Sequence, residues 1–301
     1  MRAFSWFLLM IVAALAAIAL LTYPAWLLLH PHFGFPFHRI GDRIAMLALL
    51  VGLTLLARRL RLTDRTALGY GLPRRLFLRE AGAGLALGVV SMLAVVATMM
   101  ALGLLDFSRG AQLSGAGWAR IVAQGLASGL AVGLIEETFV RGAMFTAIAR
   151  ESGSRLAIGL TAVIFSMSHF VVSHHIPDSE VTAWSGLAEL GHSFGAFATP
   201  GSIADAFLAL AALGVVLAAI RSVTGNIALC VGLHAGWVWV MLVTHQATAA
   251  LRAAPLGFLL SEHDGFVGWL VLGWILLIGP LLIRFAQHRT ATHTPLANLP
   301  A

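Results

Sequence analysis

Apolar stretches of membrane-crossing length recur from one end of this chain to the other, and nearly all of its charged residues fall between them. A hydrocarbon core about 30 Å thick is crossed by roughly 20 helical residues, and within it every backbone polar group must be satisfied by the protein itself. Eight stretches qualify, near residues 4–29, 40–57, 81–105, 118–148, 156–174, 203–220, 225–246 and 266–285. The second is the weakest, because its uninterrupted apolar core from Ile44 to Ala57 is short. The expected fold is all-α, a polytopic transmembrane helical bundle of about eight spans. Only 11% of the 301 residues are charged, against about 25% in soluble domains, so a soluble multi-domain reading fails. The first apolar run exceeds the roughly 7–15 residues of a signal-peptide core and reads as a retained span.

The net charge of +6 comes entirely from arginine, for the chain has no lysine. With eight spans both termini share a side. Thirteen arginines, Arg221 among them, fall on that side, five fall on the other, and Arg141 remains inside a helix. Positive charge concentrates on the cytoplasmic face, so both termini are expected in the cytoplasm of a cell whose inner membrane holds the protein, as in bacteria. Arginines placed this way exclude nucleic acid as a partner, since no basic face accompanies a nucleic-acid-binding motif. The lone cysteine, Cys230, excludes an intrachain disulfide.

Three divisions are expected: N-terminal spans over 1–117, a core over 118–246, and a last span with a disordered tail over 247–301. The loop at 174–201 is too polar to span and too long for a plain connector, which suggests an interfacial helix or a lid. The glycines Gly125, Gly129 and Gly133 make a small-residue stripe for close helix packing. Asn226 is placed to cap the seventh span, and Trp237 and Trp239 lie deep enough to line a cleft.

Within the fourth stretch stand Glu136, Glu137 and Arg141. Ionisable groups at this depth are costly and usually functional. Residues four apart share a helix face, so Glu137 and Arg141 can pair. Glu136, rotated by about 100°, points elsewhere and stays available for proton transfer. His169 in the fifth stretch and His234 in the seventh fall near the middle of their apolar runs, at the level of Glu136. Three chemistries fit. Glu136 can be a general base for water, with His169 holding the water and His234 stabilising an oxyanion. Glu136, His169 and His234 can form a His₂Glu zinc set, although no HExxH helix is present. Cys230, one turn before His234, can be a nucleophile. The histidines His30, His32 and His38 crowd the first loop, where a metal site is conceivable, and His174, His175 and His192 belong to the long loop.

At these positions the sequence resembles the CPBP family, intramembrane glutamic proteases that include the type II CAAX prenyl endopeptidases. The EExxxR motif matches Glu136 to Arg141, FxxxH matches Phe165 to His169, and the late histidine is His234, followed four residues on by Val238. The resemblance spans roughly residues 118–246. It implies an intramembrane endopeptidase in which Glu136, His169 and His234 are catalytic, with Glu137, Arg141, Phe165 and Val238 in support. It requires no metal or organic cofactor, and its partners would be membrane lipid and a membrane-associated protein or peptide substrate. The CAAX enzymes carry Asn where Val238 stands, and valine offers no hydrogen bond. A non-catalytic immunity or scaffold-type member and a proton-coupled transporter are the alternatives.

Overall fold

The computed structural model describes residues 1–171 and 173–293. It is a polytopic helical bundle. The main helices are α1 (Arg2–Phe33), α2 (Phe37–Arg59), α3 (Arg74–Ala101), α4 (Gly115–Ser152), α5 (Ser154–Ser168), α6 (Ser185–Ser193), α7 (Pro200–Thr224), α8 (Ala228–Ala247) and α9 (Trp269–His293). Among the described residues, two two-residue strands, β1 (Leu105–Asp106) and β2 (Ala249–Ala250), pair antiparallel. Seven helices, all but α5 and α6, are long and apolar enough to cross a membrane.

The expected fifth span is the short one. Its helix covers 15 residues rather than the 19 of the stretch 156–174, and at ~1.5 Å per residue it reaches only about 22 Å. It stops where side chains take the Phe165 carbonyl and the following amides tighten onto carbonyls three residues back. The Ser168 hydroxyl and the His169 imidazole both donate to the Phe165 carbonyl, each at 2.8 Å, and the His169 amide turns to Ser166 instead. Side-chain bonds of this kind compete with continuation of a helix. The last helix runs on through His293, so residues 290–293, expected as the start of a disordered tail, are helical; residues 294–301 of that tail lie outside the described residues.

Helix α8 is the centre of the bundle. It lies between α3 and α4, and glycines let both neighbours approach to backbone distance. A Cβ on Gly232 would stand 2.0 Å from the Ala81 carbonyl oxygen, and one on Gly236 would stand 2.7 Å from that of Leu85. On the opposite side, a Cβ on Gly129 would stand 2.6 Å from the Ala235 carbonyl and one on Gly133 2.9 Å from that of Val231. The glycine stripe read from the sequence is therefore the seam between α4 and α8. Trp237 and Trp239 strengthen the two seams, donating to Ser91 Oγ on α3 and to the Val122 carbonyl on α4. Asn226, expected to cap α8, stands one residue before its N-cap Ile227, where its side-chain oxygen accepts from the Ala228 amide at 3.0 Å.

The polar segment between α5 and α7 contains a short helix, α6, seated on α1. A Cβ on Gly186 would meet the Ala19 carbonyl at 2.4 Å. Glu189 of α6 is buried beside Gly41, and burial together with the nearby Asp42 pushes its carboxyl up to about 7. The histidines expected in the first loop lie on helices instead, His30 on the last turn of α1 and His38 on the first turn of α2, and both reach this segment, His38 to His175 at 3.3 Å and His30 to Asp178 at 3.8 Å. At the other end of the bundle, Glu151 accepts from the Arg2 and Ala3 amides, Arg150 reaches the Arg61 carbonyl, and Arg289 pairs with Glu80. The first turn of α1 and the last turns of α9 thus lie at one end of the bundle.

Candidate active site

Glu137 is the hub of the polar group at the bundle centre. It is fully buried, and a single carboxylate oxygen, Oε1, accepts from Arg141 Nη1 and from His234 Nδ1, both at 2.8 Å. The first bond is the four-residue pair expected on one helix face. The second joins α4 to α8 across 97 positions of sequence. Arg141, also fully buried, sends Nη2 to the Gly214 carbonyl on α7 and lies over the Phe165 ring at 4.3 Å. Four helices, α4, α5, α7 and α8, therefore meet on one ion pair. Buried charges are held only when paired and hydrogen-bonded in this way.

The partner of each imidazole fixes its tautomer. An ionised Glu137 makes His234 Nδ1 the donor, so its Nε2 faces outward, 4.0 Å from Glu136 Oε2. His169 Nδ1 donates to the Phe165 carbonyl, which leaves its Nε2 as an acceptor. The Phe165 ring sits between the two histidines, edge-on to both, with centroids 4.7 Å from His169 and 5.7 Å from His234. His169 stands within electrostatic reach of Glu136, His234 and Arg141. Unlike Glu137, Glu136 keeps a side chain 35% exposed. Leu134 and Ile135, which precede it on α4, are exposed apolar residues. Val238 lies one turn beyond His234 and is half-buried.

The structure thus gathers Glu136, Glu137, Arg141, Phe165, His169 and His234 into one cluster. The other arrangements considered from sequence do not form. Cys230 is buried, with its thiol donating to the Leu217 carbonyl. Among the described residues, no group of three or more His, Cys, Asp and Glu side chains is placed to hold a metal ion, neither at Glu136 nor in the first loop.

Two features were not visible in the sequence. The segment Thr138–Met144, which carries Arg141, is π-helical. Arg221, counted with the arginines of one membrane face, is instead buried against that segment. The sequence marks neither, although π-bulges are frequent at functional sites.

A family model, that of the type II CAAX prenyl endopeptidase Rce1-like family, matches residues 117–240. It covers α4 through most of α8, and with them all three motifs. No curated protein and no solved structure matches the chain.

Proposed function

We infer that this chain, an integral membrane protein whose residues 117–240 belong to the type II CAAX prenyl endopeptidase Rce1-like family, hydrolyses a peptide bond in a membrane-associated substrate with Glu136 as the base. The observation that supports this best is the division of labour between the two adjacent acids. Glu137 is committed to Arg141 and His234, whereas Glu136 is partly open and faces the free nitrogen of His234 across 4.0 Å. A gap of that size suits a bridging water better than a direct hydrogen bond.

In the first step Glu136 removes a proton from that water as its oxygen bonds to the scissile carbonyl carbon. His169 Nε2 accepts a hydrogen bond from the water's remaining O–H and orients it. The carbonyl oxygen becomes an oxyanion and needs a donor. His234 can donate from Nε2 only as an imidazolium, because its Nδ1–H already serves Glu137. In the second step the proton on Glu136 passes to the leaving nitrogen and the C–N bond breaks. General acid–base transfer of this kind contributes about 10²–10⁴ in rate.

Both termini are assigned to the cytoplasm, since the arginine-rich loop between α2 and α3 lies at their end of the bundle. A non-catalytic role has one observation in its favour: Val238 offers no second oxyanion donor, and losing one donor typically costs ~10²–10³ in rate. Reconstituted protein offered peptides tethered to liposomes by a lipid or a membrane span separates the readings. Cleavage at a defined bond, unaffected by a metal chelator, is expected, with new termini mapped by mass spectrometry. An intact peptide set after prolonged incubation would favour the non-catalytic role, and chelator-sensitive cleavage would favour zinc.

A further inference from the structure

We propose that Arg221 is a positioning residue for this site: it holds the π-helical turn of α4 and thereby aims Glu137 and Arg141 at His234. In a continuous α-helix the Phe145 amide would close on the Arg141 carbonyl, but here it goes to Val140. The Arg141 carbonyl is instead reached from α7 by Arg221 Nε at 3.1 Å. The same guanidinium sends Nη2 to Thr146 Oγ1 at 3.1 Å and to the Ala67 carbonyl at 3.5 Å. It therefore spans the far end of the π segment, with one prong on the diverted carbonyl and one on the next turn.

Arg221 makes no ion pair among the described residues, although it is buried. A buried cation without a counter-ion is unfavourable, and here it is balanced by carbonyl and hydroxyl acceptors and by the Phe145 ring, 5.8 Å from the guanidinium. The planar fork matches two acceptors at once, which a single ammonium cannot do. The loop between α2 and α3 holds the π segment from another side. Thr146 Oγ1 donates to the Ala67 carbonyl at 2.8 Å, Tyr70 bonds Thr138, and a Cβ on Gly142 would meet the Leu68 carbonyl at 2.8 Å. Releasing the Arg141 carbonyl would let the turn relax toward α-helical register, and the side chains of Glu136, Glu137 and Arg141 would rotate with it.

The test uses full-length protein in detergent, comparing Arg221→Met and Arg221→Lys with wild type. The His234 Nδ1–H proton, identified by its loss in His234→Gln, reports the bond to Glu137 by NMR. Its resonance is expected to shift or vanish in Arg221→Met, with kcat down by ~10²-fold, the scale of a misplacement of about 1 Å, and KM within about twofold. Arg221→Lys is expected to show the same changes in smaller degree. Only the kinetic half of this test rests on the hydrolytic reading. Should wild type prove inactive, that reading falls, while a moved proton signal still supports the positioning role. A folded variant with the wild-type signal and wild-type kcat overturns it. If Arg221→Met does not fold, Arg221→Lys decides alone, and failure of both to fold would make Arg221 a folding residue and overturn the assignment.

Discussion

Glu137→Ala will destabilise the folded protein by about 3–5 kcal/mol, the usual result of removing one member of a buried ion pair. The size follows from what is left behind. Arg141 has no exposed surface, so its charge would remain in a dry interior with only the Gly214 carbonyl and the Phe165 ring to hold it. His234 would lose the acceptor that fixes its ring, and α4 and α8 would lose one of the hydrogen bonds that join them. Glu137→Gln keeps an acceptor of the same shape and should fall between the alanine variant and wild type. Reversible unfolding in mixed micelles checks the order. A Glu137→Ala protein as stable as wild type would show that Glu137 and Arg141 are not a buried pair.

Gly232→Val will separate α3 from α8, at a cost above the about 1–3 kcal/mol typical of overpacking. The Cβ alone would stand 2.0 Å from the Ala81 carbonyl oxygen and 2.6 Å from the Leu85 amide nitrogen, and both obstacles are backbone. No rotamer change relieves such a clash, so one helix must move, and His234 two residues later moves with it. Gly82→Ala, on α3 but with open space at its Cβ, is the matched control and should be silent. Yield of folded protein and thermal unfolding in detergent distinguish the two. Equal stability of Gly232→Val and Gly82→Ala would contradict the packing described here.

What the sequence revealed follows from what is local. The pairing of Glu137 with Arg141 was legible because four-residue spacing stacks side chains on one helix face. The seam formed by Gly125, Gly129 and Gly133 was legible for the same reason. The bond from His234 to Glu137 was not, because nothing in the two separate helices specifies which of two neighbouring acids meets the imidazole. The end of α5 at Ser168 was missed because apolarity continues past it; side-chain bonds to the Phe165 carbonyl, not composition, stop the helix. Arg221 was grouped with the membrane-face arginines because at a helix end a snorkelling arginine and a buried one look alike in sequence. The family model covers the region where the motifs lie, and its match leaves the roles of individual side chains to geometry and experiment.

The central claim is that Glu136, not Glu137, carries the proton in the chemical step. The most direct measurement is single-turnover cleavage of a liposome-tethered peptide by Glu136→Gln protein whose unfolding transition matches that of wild type. With Glu136 as the base, a loss of at least ~10²-fold is expected, the scale of general-base catalysis, with substrate binding unchanged. Cleavage at the wild-type rate by that folded variant would contradict it.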